Sequence, residues 1–194
     1  MTRSETQMRR EVLEIPMAVE RLLQNGSDDI ARAADAVRTR APGYMVSVAR
    51  GSSDHVATYL KYASELLTGT PIASLGPSIA SIYGRNLNLG GSVCLSVSQS
   101  GQSPDLIEMA LMARENGALS VALTNHPESP LAEVSDHTLN LHAGPELSVA
   151  ATKTFVNSAV AGLWLLAEAA GDEALISAIH SLPKTLEKAV RADW

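Results

Sequence analysis

Five short apolar runs, each bounded by glycine, proline or small polar residues and interleaved with helical patterns, constrain this 194-residue chain more than any other feature. They lie at 44–48, 71–75, 93–97, 119–123 and 137–141. Their length and β-branching read as strands. Strands that alternate with helices must pair in parallel through right-handed crossovers, and near-continuous apolar strands indicate a sheet covered on both faces. The expected fold is therefore three-layer α/β/α, with a five-stranded parallel sheet in the flavodoxin-like order 2-1-3-4-5. In that order the first and third strands flank the topological switch point, which sets the loops after Val48 and Val97 side by side.

The stretch at 93–105, VCLSVSQSGQSPD, is the centre of the pattern. A buried strand stops abruptly in hydroxyl and amide residues, turns at Gly101, and enters a helix at Pro104, where the missing N–H costs nothing. Ser98, Gln99, Ser100 and Ser103 then sit beside unpaired backbone N–H groups at the positive end of a helix dipole. Such an arrangement binds an anion without needing a lysine, and reads as a phosphate cradle. Ser52 and Ser53, in the loop after the first strand, would face it. A Ser- and Gly-rich loop also commonly does no more than join a strand to a helix, so the rest of the chain has to weigh in.

Around these strands the spacing predicts helices. Met8, Val12, Ile15, Val19 and Leu22 make one apolar face over 5–23, interrupted by Pro16, and an Ala-rich helix runs from Asp28 to about Arg40. Residues 1–40 are accordingly expected as helices packing on a domain that spans 41–194. Further helices are expected over 55–67, near Tyr83, over 105–115, and over 149–170 and 173–191, the chain ending at Asp193-Trp194 after the last. The 149–170 pattern is apolar nearly all round, which suits a helix buried in an assembly and suggests a homodimer.

Composition narrows the function. A formal charge of −6 and an aromatic content of 4% argue against nucleic acid and anionic membranes as partners, so an anionic small ligand would need a local site. The apolar stretches fall well short of the ~20 residues needed to span a bilayer, and no targeting segment is visible, so a cytoplasmic setting is expected. Cys94 is the only cysteine and falls inside a strand, which excludes a disulfide or cysteine-based zinc site within one chain. The five histidines form no ligand pair at metal spacing, so neither metal nor cofactor is expected. His55 opens a helix and reads as a cap or packing residue more than a ligand contact. Ser98-Gln99-Ser100-Gly101 is not the GxSxG nucleophile elbow, leaving the serines as hydrogen-bond donors. Glu146 precedes the long apolar helix; a carboxylate there stabilises a helix start, or serves as a weak candidate for a catalytic base. Lys153 binds an anion or points to solvent, and spacing does not choose.

Five blocks carry a resemblance: MRREVLEIP at 8–16, ARGSSDHVA at 49–57, SQSGQSPD at 98–105, SPLAEVSDH at 129–137 and HAGPELSVAATKTF at 142–155. Together they resemble the sugar isomerase (SIS) domain family, in particular the isomerase half of glucosamine-6-phosphate synthase and the glucosamine-6-phosphate deaminases similar to it. The resemblance implies that Ser53, Ser98, Gln99, Ser100 and Ser103 hold a sugar phosphate, while Ser52, Val149 and Ala151 line the sugar. It departs at Ile15, where the family often has glutamine, and at Ala151, where serine is frequent. Gln102-Ser103-Pro104 is closer to the deaminase-like members.

Family enzymes carry two such domains, and their catalytic glutamate, C-terminal lysine and ring-opening histidine belong to the second; no position here matches them. The implied function is a phosphosugar-binding N-terminal half of an aminosugar-phosphate deaminase or isomerase, converting glucosamine 6-phosphate to fructose 6-phosphate plus ammonia. Two alternatives stand beside it: a non-catalytic phosphosugar-binding or regulatory module, and the isomerase part of a glutamine–fructose-6-phosphate aminotransferase. The implied partner is a hexose or hexosamine 6-phosphate. Whether this chain itself turns over substrate is left open.

Overall fold

The chain enters through helices whose boundaries follow local chemistry. In the computed structural model, which describes residues 6–192, Thr6 accepts a hydrogen bond from Arg9 N and caps α1 (Gln7–Leu13). The helix breaks at Glu14, and Pro16 falls in the first turn of α2 (Ile15–Asn25). Gly26 alone separates α2 from α3 (Ser27–Arg40), whose first turn carries Asp28 and Asp29 and whose last carries Arg38 and Arg40, matching the helix dipole at both ends. The expected apolar face is corrected at one end: Ile15, Val19 and Leu22 are buried, whereas Met8 is 47% exposed and Glu11 takes the buried place. Glu5, at the start of the expected helix, and Asp193-Trp194 lie outside the described residues.

The alternating units follow in order: β1 (Met45–Ala49), α4 (Ser52–Thr68), β2 (Ile72–Ser74), α5 (Ser78–Ser81), β3 (Val93–Val97), α6 (Pro104–Glu115), β4 (Leu119–Thr124), α7 (Pro130–Glu133), β5 (His137–Asn140), α8 (Lys153–Ala170) and α9 (Glu173–Ala189). All pairings are parallel and the order is β2-β1-β3-β4-β5, with Val93 level with Met45 on one side and Leu119 on the other. The period-two alternation of the strands divides the core. Met45, Val93, Leu95, Val121 and Leu123 pack with α2, α3, α4 and α8 on one face. Val46, Val48 and Cys94 pack under α6 on the other, and Ala122 lies there with Leu131 of α7. This is the expected three-layer fold, and the crossovers change face between β1 and β3.

Two helix starts differ from expectation. Helix α4 begins at Ser52 rather than 55, because Gly51 (φ 57°) makes the whole turn out of β1. Helix α8 begins at Lys153 rather than 149, leaving 149–152 in the preceding loop. The burial of α8 is explained within the chain: it packs against α2, α3, α4 and α9. Its apolar character therefore needs no second subunit.

Candidate functional site

Parallel strands place all their carboxyl ends along one edge of the sheet, and at that edge Ala49 of β1 is level with Val97 of β3. The loop after β1 is tied to the first turn of α6, since Arg50 Nη1 donates to both carboxylate oxygens of Asp105 at 3.0 Å. Ser52 and Ser53 are not loop residues; they form the first turn of α4, whose cap, Gly51, has no side chain to satisfy the N–H groups there. Ser103 caps α6 by position without a side-chain hydrogen bond, and Pro104 follows it. Two helix N-termini with unsatisfied donors thus stand at neighbouring strand ends.

The loop between β3 and α6 is held from below. Ser98 N donates to Leu123 O at 3.1 Å, Asn125 N donates to Gln99 O at 3.0 Å, and Leu131 N, at the start of α7, donates to Gly101 O at 3.2 Å. Gly101 (φ 62°) lies so close to Ser129 that a Cβ there would stand 2.1 Å from Ser129 Oγ, so both the turn and the contact require glycine. The buried Ser98 Oγ accepts from Gly101 N at 3.2 Å and Ser100 Oγ from Gln102 N at 3.3 Å. Because the backbone occupies their acceptor side, both hydroxyls keep a proton to donate. Among the described residues no hydrogen bond engages the hydroxyls of Ser52, Ser53 or Ser103, or the Gln99 amide. The arrangement offers neutral donors and helix-end N–H groups, which suits a compact oxyanion.

The loop after β5 lies along the same edge of the sheet. Its base is fixed by Arg21, which donates to the carbonyls of His142 (3.1 Å) and Ala143 (2.8 Å). Asn125 pairs with the same segment, donating to Gly144 O and accepting from Ala143 N, both at 2.9 Å. Farther along, Glu11 of α1, 1% exposed, accepts from Leu147 N at 2.6 Å and Ser148 N at 3.2 Å. Glu146 accepts from the N–H and hydroxyl of both Thr152 and Thr154, at 3.0 and 2.9 Å for Thr152 and 3.1 Å for the Thr154 N–H. It therefore organises the start of α8. Between these anchors Val149 is fully exposed and Ala151 half-buried.

Lys153 does not point to solvent. Its side chain is buried and its ammonium pairs with Glu14. A cation in the first turn of α8 opposes the helix dipole, and the Glu14 carboxylate offsets this.

Sequence reading passed over Glu11, Arg21 and Asn125 as loop anchors. For Glu11 a signal existed, because positions 8, 11, 12 and 15 share one helical face and a carboxylate among apolar neighbours stands out.

Electrostatics single out the same carboxylate. Burial raises the Glu11 pKa, but the nearby Ser148 hydroxyl and the hydrogen bonds from the Gln7 side chain and the Leu147 and Ser148 N–H groups outweigh it and bring it down to about 2. Cys94 goes the other way, pushed up to about 11 by burial against a weak opposing bond from Ser96, and is an inert core thiol. Burial lowers His142, with Asp29 opposing and Arg21 assisting. His55 is exposed in the first turn of α4. Among the described residues no group of three or more His, Cys, Asp or Glu could hold a metal ion, and no helix is long and apolar enough to cross a membrane.

Comparison with known proteins gives the family and the fold. The family model of the SIS domain matches residues 42–169. The glutamine–fructose-6-phosphate aminotransferase [isomerizing] of Streptococcus pneumoniae (strain ATCC BAA-255 / R6) is 34% identical over 171 residues, which is 85% of this chain and 28% of that protein. The chain thus spans little more than a quarter of the length of that curated relative. Among solved structures, a protein assigned as a phosphosugar isomerase from Silicibacter pomeroyi DSS-3 is 61% identical with a TM-score of 0.95, over 97% of this chain and 58% of the other. The C-terminal domain of glucosamine-fructose-6-phosphate aminotransferase from Francisella tularensis shares the fold, with a TM-score of 0.76 at 24% identity over 97% of this chain and 54% of the other.

Proposed function

The chain belongs to the SIS domain family, and on that premise we propose that it binds a hexose or hexosamine 6-phosphate through Ser53, Ser98, Gln99, Ser100 and Ser103. Ser52, Val149 and Ala151 line the sugar. The observation that carries this reading is the pair of helix N-termini, α4 and α6, left without side-chain caps at adjacent strand ends and joined by the Arg50–Asp105 bridge. A phosphate there gains charge-assisted hydrogen bonds from hydroxyls already held by the backbone.

Within this reading residues 41–194 act as the binding domain, and 1–40 as helices packed on it. The domain is the phosphosugar-binding half of an aminosugar-phosphate deaminase or isomerase, working in the cytoplasm with a second copy of the chain as partner, the last point resting on the habit of the family alone. Proton transfer between C1 and C2 of the sugar needs a carboxylate base. Glu146 is the candidate in this chain, though all four of its hydrogen bonds come from Thr152 and Thr154. A carboxylate so engaged is better suited to shaping the loop beside the sugar than to exchanging protons, so the phosphate anchor is the function we assign.

Calorimetric titration tests the assignment. Glucosamine 6-phosphate and fructose 6-phosphate should bind, inorganic phosphate more weakly, and unphosphorylated glucosamine undetectably. Equal affinity for glucosamine with and without its phosphate would overturn the reading.

A further inference from the structure

Glu11 is buried, ionised and far in sequence from what it holds. Its two oxygens accept the N–H groups of Leu147 and Ser148, and Gln7 Nε2 braces the carboxylate at 3.0 Å. Three residues on, Glu14 pairs with the buried Lys153 at the start of α8. The α1 segment therefore grips the loop after β5 on either side of 149–151. The base of the loop has its own anchors in Arg21 and Asn125, and its end has Glu146. Among the described residues no hydrogen bond engages 149–151, and Val149 stands fully exposed.

We infer that Glu11 is a positioning residue for sugar recognition: by fixing the Leu147 and Ser148 backbone it sets where Val149 and Ala151 stand, while taking no part in holding the phosphate. The inference rests on the proposed function. The physical reason is specific to a carboxylate. Two adjacent backbone N–H groups converge on it, and a neutral amide in its place presents an NH2 to one of them, exchanging an ion–dipole attraction for a donor–donor clash. The cradle at Ser98–Ser103 is held by Leu123, Asn125 and Leu131, and Glu11 bonds to none of these. Asn125 touches both the cradle and the base of the loop, whereas Glu11 bonds only to the loop beside the sugar.

The test is calorimetry on the purified protein and on Glu11→Gln, with inorganic phosphate and glucosamine 6-phosphate as probes, alongside amide hydrogen exchange. In E11Q, phosphate affinity should stay within about twofold, affinity for glucosamine 6-phosphate should fall about tenfold, and the Leu147 and Ser148 amides should lose protection. Gln7→Ala removes only the brace and serves if E11Q does not fold; it should give the same split with a smaller loss. Equal losses for both probes would reduce Glu11 to a support of the fold, and unchanged sugar-phosphate affinity would remove its role altogether. Either result overturns the inference. If the unaltered protein binds neither probe, the proposed function itself fails at the first titration, before any variant is made.

Discussion

Arg50 and Asp105 join the loop that follows β1 to the first turn of α6, with one guanidinium nitrogen 3.0 Å from each carboxylate oxygen. Arg50 is 62% exposed, so the pair adds little to stability; exposed ion pairs contribute at most ~1 kcal/mol. Its significance is electrostatic, because it neutralises a cation and an anion next to the proposed phosphate. Asp105→Asn should change unfolding free energy by less than ~1 kcal/mol while tightening inorganic phosphate roughly two- to fivefold at low salt, since an anion near the α6 N-terminus competes for about 0.3–1 kcal/mol of helix-end field. Weaker phosphate binding in D105N would show that the carboxylate orders the site rather than competing with the ligand.

Gly101 is the least replaceable residue of the cradle. An alanine there must adopt φ near 62° and place Cβ 2.1 Å from Ser129 Oγ. Left-handed strain of ~1–2 kcal/mol and a forced shift of α7 add up to a loss of about 2–4 kcal/mol. Thermal unfolding of Gly101→Ala should therefore come at least about 5 °C below the unaltered protein. An unchanged midpoint would mean that the turn tolerates a side chain.

Asn157, fully buried in α8, donates to Ala18 O at 2.9 Å and Leu141 O at 2.7 Å, joining α2 and the end of β5 to the central helix. Replacing it by leucine removes both bonds, each worth ~0.5–1.5 kcal/mol net, and forces a larger side chain into a packed site at a further cost of ~1–3 kcal/mol. A loss of about 2–4 kcal/mol in denaturant unfolding of Asn157→Leu is expected; a stability equal to that of the unaltered protein would show that these bonds contribute nothing net.

Acid stability should report Glu11. Its folded pKa of about 2 lies below its ordinary value of 4.5, so the folded state binds the proton less readily than the unfolded one. Its contribution is present in full above about pH 4.5 and is lost progressively as the pH falls toward 2. The acid limb of stability against pH should be shallower in Glu11→Gln than in the unaltered protein over that window, whatever the difference at pH 7. Parallel limbs would contradict the depressed carboxyl.

The sheet and its order were legible because each strand is a short apolar run with its own turn residues, and parallel pairing then leaves few topologies. The loop proposed as the cradle was legible as local structure for the same reason, since 93–105 contains strand, turn and helix start in one stretch. What escaped notice was long-range. Glu11 and Leu147 are 136 residues apart in sequence, so a carboxylate that stands out on an apolar face gives no local sign of the loop it holds. Lys153 was ambiguous because its partner, Glu14, lies 139 residues away. The misplaced start of α4 has a local cause: Gly51 alone completes the turn, so Ser52 and Ser53, which read as loop residues, form the first turn of the helix.

The central claim, that Ser98 to Ser103 is the phosphate cradle, is tested most directly by calorimetry of the Ser98→Ala, Ser100→Ala double variant against glucosamine 6-phosphate. Each hydroxyl is a donor to a charged group worth roughly 1.5–3 kcal/mol, so affinity should fall at least tenfold. Far-UV circular dichroism should remain unchanged, because the backbone bonds from Asn125 and Leu131 still hold the loop. A folded double variant that binds the sugar phosphate as tightly as the unaltered protein would contradict the account.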